Sequence, residues 1–288
     1  MDLDIRISDL IEMEPFSLPL IDMGGYTLYR LSGSVFLFII GGAFLFCFIH
    51  AARRAFGSPI FIDSQNKNGQ LHSREEKAEG LVYRYTVPQR LFHWANALSV
   101  LALTITGLAI YIPAYFSFLN IQTVTWFSIH VYTVGFFLLF IVFHTVYDSF
   151  VLDLFSNMWF GREERQRLVL ILKNFFGLTR QYPKFSKFNP GQILYHWAIA
   201  LNLLALFITG IVIWKPLRFL FPLRLLGFGW EFIFINRILH DLFTATLMAL
   251  WIGHIYFGLF IKENWKEAAS IIKGTVPLPE YEKYHESQ

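Results

Sequence analysis

Five long apolar stretches constrain this 288-residue chain more than any other feature of its sequence. Crossing the hydrocarbon core of a bilayer, about 30 Å thick, takes about 20 helical residues. Stretches of this length lie at about 28–50, 92–115, 124–148, 192–214 and 238–261. They are continuously apolar and do not alternate, which favours helices over the strands of a membrane barrel. The sequence therefore predicts an all-α membrane protein.

Composition and cysteine content exclude several classes of protein. Charged residues make up only 16% of the chain, against about 25% in soluble domains. The net charge is +3 and the basic residues are spread over several loops, so we expect no nucleic-acid partner. The single cysteine, Cys47, rules out an intramolecular disulfide, a four-cysteine zinc site and a CxxCH haem attachment. Any metal must be held by histidine or carboxylate, and any haem must be bound non-covalently.

The distribution of Lys and Arg predicts the orientation of the chain in the membrane. Residues 51–90, 151–190 and 261–288 hold 18 of the 24 basic residues. The other side of the membrane holds six, four of them within residues 215–237. Because cytoplasmic loops are enriched in Lys and Arg, we expect the N-terminus outside and the C-terminus inside.

The same pattern divides the chain into five parts. We expect a periplasmic segment at 1–27, an extra transmembrane helix at 28–50, a cytoplasmic linker at 51–85, a four-helix core at 86–265 and a cytoplasmic tail at 266–288. The basic loop after the third apolar stretch predicts a short amphipathic helix near 163–176. The tail sequence from Lys273 onwards is expected to be irregular.

Six of the nine histidines lie in the predicted core helices. Ionisable groups inside a membrane are rare and costly, so they indicate a function, although a single His can also simply pack between helices. His240 and His254 are 14 residues apart, which is about 21 Å of rise and about 40° short of four turns. They therefore share one helix face, with one His near each membrane surface.

Matching depths supply each of these histidines with a partner. The predicted topology places His93 and His254 near the inner surface, and His130 and His240 near the outer surface. Each pair is expected to ligate the iron of one haem b, which leaves the iron no open position and suits electron transfer. The expected fold is a four-helix transmembrane haem-binding bundle plus one extra N-terminal transmembrane helix.

The remaining histidines leave alternatives open. His144 also lies at inner depth, 14 residues after His130, and is a weaker rival of His93 for the inner haem. His196 either lines a quinone pocket or packs between helices. Three further histidines are expected outside the core: His50 at the headgroup boundary, and His72 and His285 in solvent.

Two Thr-Gly pairs, Thr106-Gly107 and Thr209-Gly210, lie near the outer haem's depth, where a flat macrocycle needs small neighbours. Ordinary close packing of helices by small residues explains them equally well.

Several short motifs occur in order over residues 83–275. They are YRYTVPQRLFHW at 83–94, FNPGQ at 188–192 with Trp197, TGIVIWKP at 209–216, and LH at 239–240 with GHIY at 253–256. Together they resemble the membrane (gamma) subunit of respiratory formate dehydrogenase, a di-haem cytochrome b of the prokaryotic inner membrane. Related cytochromes serve nickel–iron hydrogenases and thiosulfate or polysulfide reductases.

This resemblance implies a non-catalytic electron-transfer subunit of a respiratory chain, with the same four histidines as axial ligands of two b haems. It implies an iron–sulfur subunit and a large catalytic subunit on the periplasmic side. It also implies a quinone-reducing site for menaquinone or ubiquinone at Asn189, Gly191 and Gln192, close to His254. The chain differs from this family in its extra N-terminal helix, in His196, and in Asp241 directly after a ligand.

Two other functions stay open. A transporter or proton channel with membrane histidines as relays predicts inverted repeats or broken helices, and the sequence shows no inverted repeat. A membrane anchor with packed histidines leaves the matched depths as a coincidence.

Overall fold

The computed structural model describes residues 23–56, 80–152, 158–179, 181–214 and 230–285. Eight helices occur in these ranges: α1 Met23–Phe56, α2 Val87–Tyr111, α3 Thr123–Val146, α4 Arg162–Phe175, α5 Pro190–Ile213, α6 Trp230–Ile255, α7 Trp265–Lys273 and α8 Leu278–Tyr284. Two short strands, β1 Leu81–Tyr83 and β2 Thr275–Pro277, pair in antiparallel fashion. The predicted amphipathic helix near 163–176 is confirmed as α4.

Five helical segments are long and apolar enough to cross a membrane, as predicted. They are Ser32–Ala55, Val87–Tyr111, Thr123–Phe150, Pro190–Ile213 and Glu231–Phe260. Large apolar side chains along them are exposed, such as Phe38, Phe48, Leu139 and Leu201, as expected for surfaces that face lipid. The chain is an all-α membrane protein.

The first turns of α2 and α5 are stabilised in the same way. Thr86 accepts a hydrogen bond from the backbone N–H of Gln89, and the Gln89 side chain accepts one from the backbone N–H of Thr86. Asn189 and Gln192 form the same reciprocal pair, at 2.8 and 3.0 Å. Such capping boxes satisfy the N–H groups that a helix leaves unpaired at its start. They fix the beginning of α2 at Val87, about five residues before the predicted start.

The ends of α3 and α6 also resemble each other. Each continues into one π-helical turn, at Tyr147–Val151 and Tyr256–Phe260 respectively. After α2 a 3₁₀ segment runs from Pro113 to Leu119 and ends at Asn120, whose φ of 52° is left-handed. Asn tolerates this conformation better than most residues, and it turns the chain towards α3.

The chain separates into two compact units. The first comprises 1–48 and 198–253, and its buried residues include Phe36, Val212 and Ala245. The second comprises 49–197 and 254–288. There α2 packs along α3, with Phe92, Ala109 and Phe137 buried.

The C-terminal segment is more ordered than its sequence indicates. The expectation of an irregular tail from Lys273 is wrong, because β2 and α8 follow α7. Val276 in β2 is 1% exposed and pairs with Val82 in β1, about 190 residues earlier. His285, expected in solvent, is 2% exposed. A strand of three residues has no local periodicity, so only the pairing itself reveals it.

Some predicted features lie outside the described residues. These are residues 1–22 of the N-terminal segment, residues 57–79 of the linker with His72, and residues 215–229 between α5 and α6. Of the predicted linker, residues 51–56 belong to α1 and 81–83 form β1.

Candidate functional site

His93 and His254 face each other in the second unit. His93 lies in the second turn of α2 and His254 in the last turn of α6, and their ring centroids are 6.1 Å apart. Two imidazoles that ligate one metal ion from opposite sides, with metal–nitrogen bonds of about 2 Å, have centroids about 6 Å apart. The two rings therefore have the spacing that the axial ligands of one haem iron require.

Aromatic side chains pack against both rings. The Tyr195 ring stacks on His254, with centroids 5.3 Å apart and planes 13° apart. The Trp94 ring packs edge-on against His93 at 5.5 Å. These contacts restrict both imidazole planes and make the surroundings of this pair largely apolar.

His130 is oriented by a threonine of the neighbouring helix. The Nδ1 atom of His130 lies 2.8 Å from the Thr106 hydroxyl oxygen, and that hydroxyl donates to the carbonyl oxygen of Ala102 at 2.8 Å. The Thr106 oxygen therefore accepts from the Nδ1–H group of His130. This leaves Nε2 unprotonated, which is the form of imidazole that ligates a metal.

His240 has the same surroundings in the first unit. Its Nδ1 atom lies 2.9 Å from the Thr209 hydroxyl oxygen, and that hydroxyl donates to the carbonyl oxygen of Ala205 at 2.8 Å. A side chain at Gly210 would touch the His240 ring at 3.5 Å, and one at Gly107 would touch the His130 ring at 3.6 Å. In each Thr-Gly pair the threonine therefore bonds one histidine, and the glycine lies against the ring of the same histidine.

The likeness of these two arrangements follows from a direct repeat in the sequence. The segment QRLFHWANALSVLALTITGLAIY at 89–111 and the segment QILYHWAIALNLLALFITGIVIW at 192–214 are identical at 14 of 23 positions. The helix after each segment carries two histidines 14 residues apart, His130 and His144 in α3, and His240 and His254 in α6. The repeat is direct, unlike the inverted repeat of many transporters, and the predictions above overlooked it.

The repeat relates His196 to His93, and His144 to His254. His144 has a polar neighbour, because its Nδ1 atom lies 3.3 Å from a carboxylate oxygen of Asp148. His196 is exposed and interacts electrostatically with both His144 and Asp148. Sequence reasoning overlooked Asp148, although it lies one turn after His144.

Asn189, Gly191 and Gln192, expected in a quinone site, lie together at the start of α5. The side-chain oxygens of Asn189 and Gln192 form the capping box, while their amide NH₂ groups retain donors for a ligand. A side chain at Gly191 would come within 3.1 Å of the Asn189 side-chain oxygen and disturb this cap.

His50, near the end of α1, is 5% exposed and contacts the π-helical turn that follows His254. Its Nδ1 atom lies 2.8 Å from the Tyr256 hydroxyl, and its ring packs against Phe257. The last turns of the extra helix are therefore attached next to a candidate ligand.

Comparison with known proteins gives a consistent picture. The family model described as prokaryotic cytochrome b561 matches residues 84–274. The cytochrome b556(fdo) subunit of formate dehydrogenase from Escherichia coli strain K12 is 24% identical over 213 residues, covering 73% of this chain and 92% of that subunit. The cytochrome subunit of F420 non-reducing hydrogenase II from Methanosarcina mazei is 28% identical over 218 residues, covering 65% of this chain and 79% of that subunit.

Proposed function

Because the chain belongs to the prokaryotic cytochrome b561 family, we propose that it carries electrons between a partner oxidoreductase and membrane quinone through two bis-histidine b haems. The relatives are cytochrome subunits of a formate dehydrogenase and of a hydrogenase. A partner of formate dehydrogenase type is therefore proposed, with a hydrogenase as the second candidate because the second relative belongs to one. The partner consists of an iron–sulfur subunit and a large catalytic subunit on the periplasmic side.

The inner haem is ligated by His93 and His254. The observation that carries this assignment is the 6.1 Å separation of the two ring centroids. His144, the rival ligand, contacts Asp148 and the edge of the Phe92 ring. Bound haem would supply reversible one-electron chemistry at this position.

The outer haem is ligated by His130 and His240. Both histidines have an Nδ1 atom that is hydrogen-bonded to a threonine oxygen, which favours ligation through Nε2. A hydrogen-bond acceptor at the far nitrogen also raises the basicity of the ligating nitrogen and strengthens its bond to a metal.

The quinone, menaquinone or ubiquinone, binds at the start of α5. The amide NH₂ groups of Asn189 and Gln192 donate hydrogen bonds to its carbonyl oxygens, and Gly191 keeps this region uncrowded. The two haems held by the four histidines would pass electrons from the periplasmic partner, by way of the outer and then the inner haem, to the quinone, with protons taken up on the cytoplasmic side.

Ligand replacement in the purified full-length protein tests the haem assignment. The wild type should contain two b haems per chain, and His254→Ala or His130→Ala should each retain one. His144→Ala is the matched control, because it removes a core histidine that is not a ligand and should keep both haems. Haem content from the pyridine haemochrome spectrum and low-spin signals from electron paramagnetic resonance measure these outcomes.

A second variant covers the case in which loss of a ligand disrupts the fold. His93→Met replaces the imidazole with a thioether, and Met/His ligation raises the reduction potential of a haem. The expected result is a higher potential for one haem and an unchanged potential for the other. Two unaltered potentials in this variant, or a wild type without haem b, would contradict the proposal.

A further inference from the structure

One region of the second unit contains four helix ends: the first turns of α2 and α5 and the C-terminal ends of α3 and α6. We call this region the His93 end. It carries four histidines: His93 and His254, and their repeat equivalents His196 and His144. One haem takes only two axial histidines. Ionisable side chains in a membrane span are costly and usually functional, so the second pair requires its own explanation.

The second pair has polar surroundings, whereas the first has aromatic ones. The His144 ring lies 3.3 Å from the Asp148 carboxylate, and the Gln89 side chain donates to the same carboxylate at 3.4 Å. The His196 ring interacts electrostatically with both His144 and Asp148. Imidazole and carboxylate side chains are the groups that most often donate and accept protons in proteins, and here they lie side by side.

The position of His196 connects this cluster to the proposed quinone site. His196 follows Gln192 by four residues on α5, so the two side chains are neighbours on one face of the helix. His196 is exposed, although its helix is among those long and apolar enough to span a membrane. A quinone dissolved in lipid reaches such a surface from the side.

We propose that His196, His144 and Asp148 form a proton-transfer group that protonates the quinone as it is reduced. The inference rests on the proposed function. Reduction of a quinone to a quinol consumes two electrons and two protons, and the electrons are those that the partner enzyme releases. His196 in its protonated form donates a proton to a quinone oxygen, an O–H bond forms, and His196 becomes neutral. His144 and Asp148 then return a proton to His196, and the second proton follows the same route.

Charged groups around the cluster connect it to the cytoplasmic loop. His93 of α2 interacts electrostatically with His144. Lys187, in the segment before α5, interacts with Asp148 and with Arg84. Burial, and then the charge of Arg84, lowers the pKa of Lys187, while Asp148 opposes the shift. Asp148 therefore interacts both with His144 and with Lys187, and Lys187 belongs to a loop that the distribution of basic residues predicts to be cytoplasmic, where water can supply protons.

The test uses the full-length cytochrome with its haems reduced by dithionite and then mixed with an oxidant. Decylubiquinone and menadione need protons on reduction, whereas ferricyanide takes only electrons. In His196→Leu and Asp148→Asn we expect haem oxidation by the quinones to slow by about 100-fold, in the range that general acids contribute. Oxidation by ferricyanide should stay at the wild-type rate, and so should both oxidations in the control Leu204→Ala, an exposed position of α5.

Two signatures separate proton transfer from a structural effect. The wild-type rate with quinone should fall as pH rises, because the protonated donor is lost, and added imidazole should restore the rate of His196→Ala. Wild-type rates and pH profiles in the variants would overturn the proposal, and so would an equal slowing with ferricyanide. If the wild-type haems react with ferricyanide and with neither quinone, the proposed function itself fails, and the proton role fails with it.

Discussion

Thr106 and Thr209 bond the Nδ1 atoms of His130 and His240 respectively, which favours Nε2 as the atom that would ligate a metal. Each threonine donates its proton to a carbonyl oxygen one turn earlier in its own helix, so its oxygen accepts from the imidazole. Only a residue with both a donor and an acceptor on one atom completes this chain of hydrogen bonds. The glycine that follows lies beside the ring. Each Thr-Gly pair therefore orients one candidate ligand histidine and lies against its ring.

Thr106→Val tests this role, because valine has nearly the shape of threonine but cannot accept the proton of His130. Loss of a hydrogen-bond partner behind a metal-ligating histidine typically costs about 10- to 100-fold in affinity. We expect the affinity for haem to fall by that factor, measured by transfer of haem to excess apomyoglobin. Thr133→Val is the control, because the Thr133 hydroxyl donates to the Ile129 carbonyl oxygen of its own helix, four residues earlier.

Thr209→Val should weaken haem binding to the same extent, because Thr209 occupies the repeat position of Thr106. Loss of such a partner costs at least about tenfold in affinity. If the haem affinities of the two variants differ by more than that factor, the two positions are not equivalent.

Most of the candidate ligands could be predicted from the sequence, whereas most of their partners could not. A histidine in an apolar helix is visible from hydropathy, and its depth follows from its position. The contacts of Tyr195 with His254 and of Asp148 with His144 depend on which side chains pack against each other. Hydropathy does not specify this packing. The direct repeat, by contrast, was visible in the sequence. It relates Thr106 to Thr209 without any structure.

At the scale of elements, the helices were predicted well and their ends less well. Hydropathy locates the apolar middle of α2, but its start depends on the capping box of Thr86 and Gln89. β1 and β2 were not predicted at all, because the three-residue strands stabilise each other only after the chain has brought them together. Short pairings of this kind are the part of the fold that local sequence patterns do not specify.

Arg84, Glu267 and His285 fasten the C-terminal segment to the start of the core. His285 Nε2 lies 2.8 Å from Glu267 Oε1 and 3.1 Å from Arg84 Nη1, and Arg84 Nη2 lies 3.8 Å from Glu267 Oε2. Arg84 also donates to the carbonyl oxygen of Lys187. The cluster therefore joins β1, α7, the segment before α5 and the residue after α8. Arg84 and His285 are buried, so loss of one partner leaves a charge in a site that water cannot fully solvate.

Glu267 makes the stability of this region depend on pH. Burial raises the pKa of Glu267, but the hydrogen bond from His285 and the charge of Arg84 outweigh it, so the pKa lies below its ordinary value of 4.5. A carboxyl group with a lowered pKa in the folded state stabilises the fold above its unfolded pKa, and this contribution disappears as pH falls through the folded value. The melting temperature of the detergent-solubilised protein should therefore fall below about pH 4.5.

Glu267→Gln should lower the melting temperature at pH 7 and flatten its pH dependence, with a cost of about 1–3 kcal/mol. Glu280→Gln is the control, because Glu280 forms an ion pair with the exposed Lys266, and such pairs are worth at most about 1 kcal/mol. An equal loss of stability in both variants would contradict a special role for Glu267.

At the scale of the whole molecule, α1 lies before the segment that matches the family model, and its last turns contact the core. Residues 84–274 match the family model, and α1 precedes them. The last turns of α1 nevertheless carry His50, whose ring contacts Tyr256 and Phe257 directly after the inner ligand helix. The proton-transfer cluster belongs to the same unit of the chain.

The direction of electron and proton flow depends on which end of the core lies in the cytoplasm. Residues 51–90, 151–190 and 261–288 border the His93 end in the sequence and hold 18 of the 24 basic residues, and loops rich in Lys and Arg are predicted to be cytoplasmic. A green fluorescent protein fused after residue 288 should therefore fluoresce in cells, and alkaline phosphatase fused there should be inactive. Alkaline phosphatase fused after residue 120, between α2 and α3, should be active, because that loop has no Lys or Arg. The opposite pattern would place the inner haem on the periplasmic side, and protons for the quinone would then come from the periplasm.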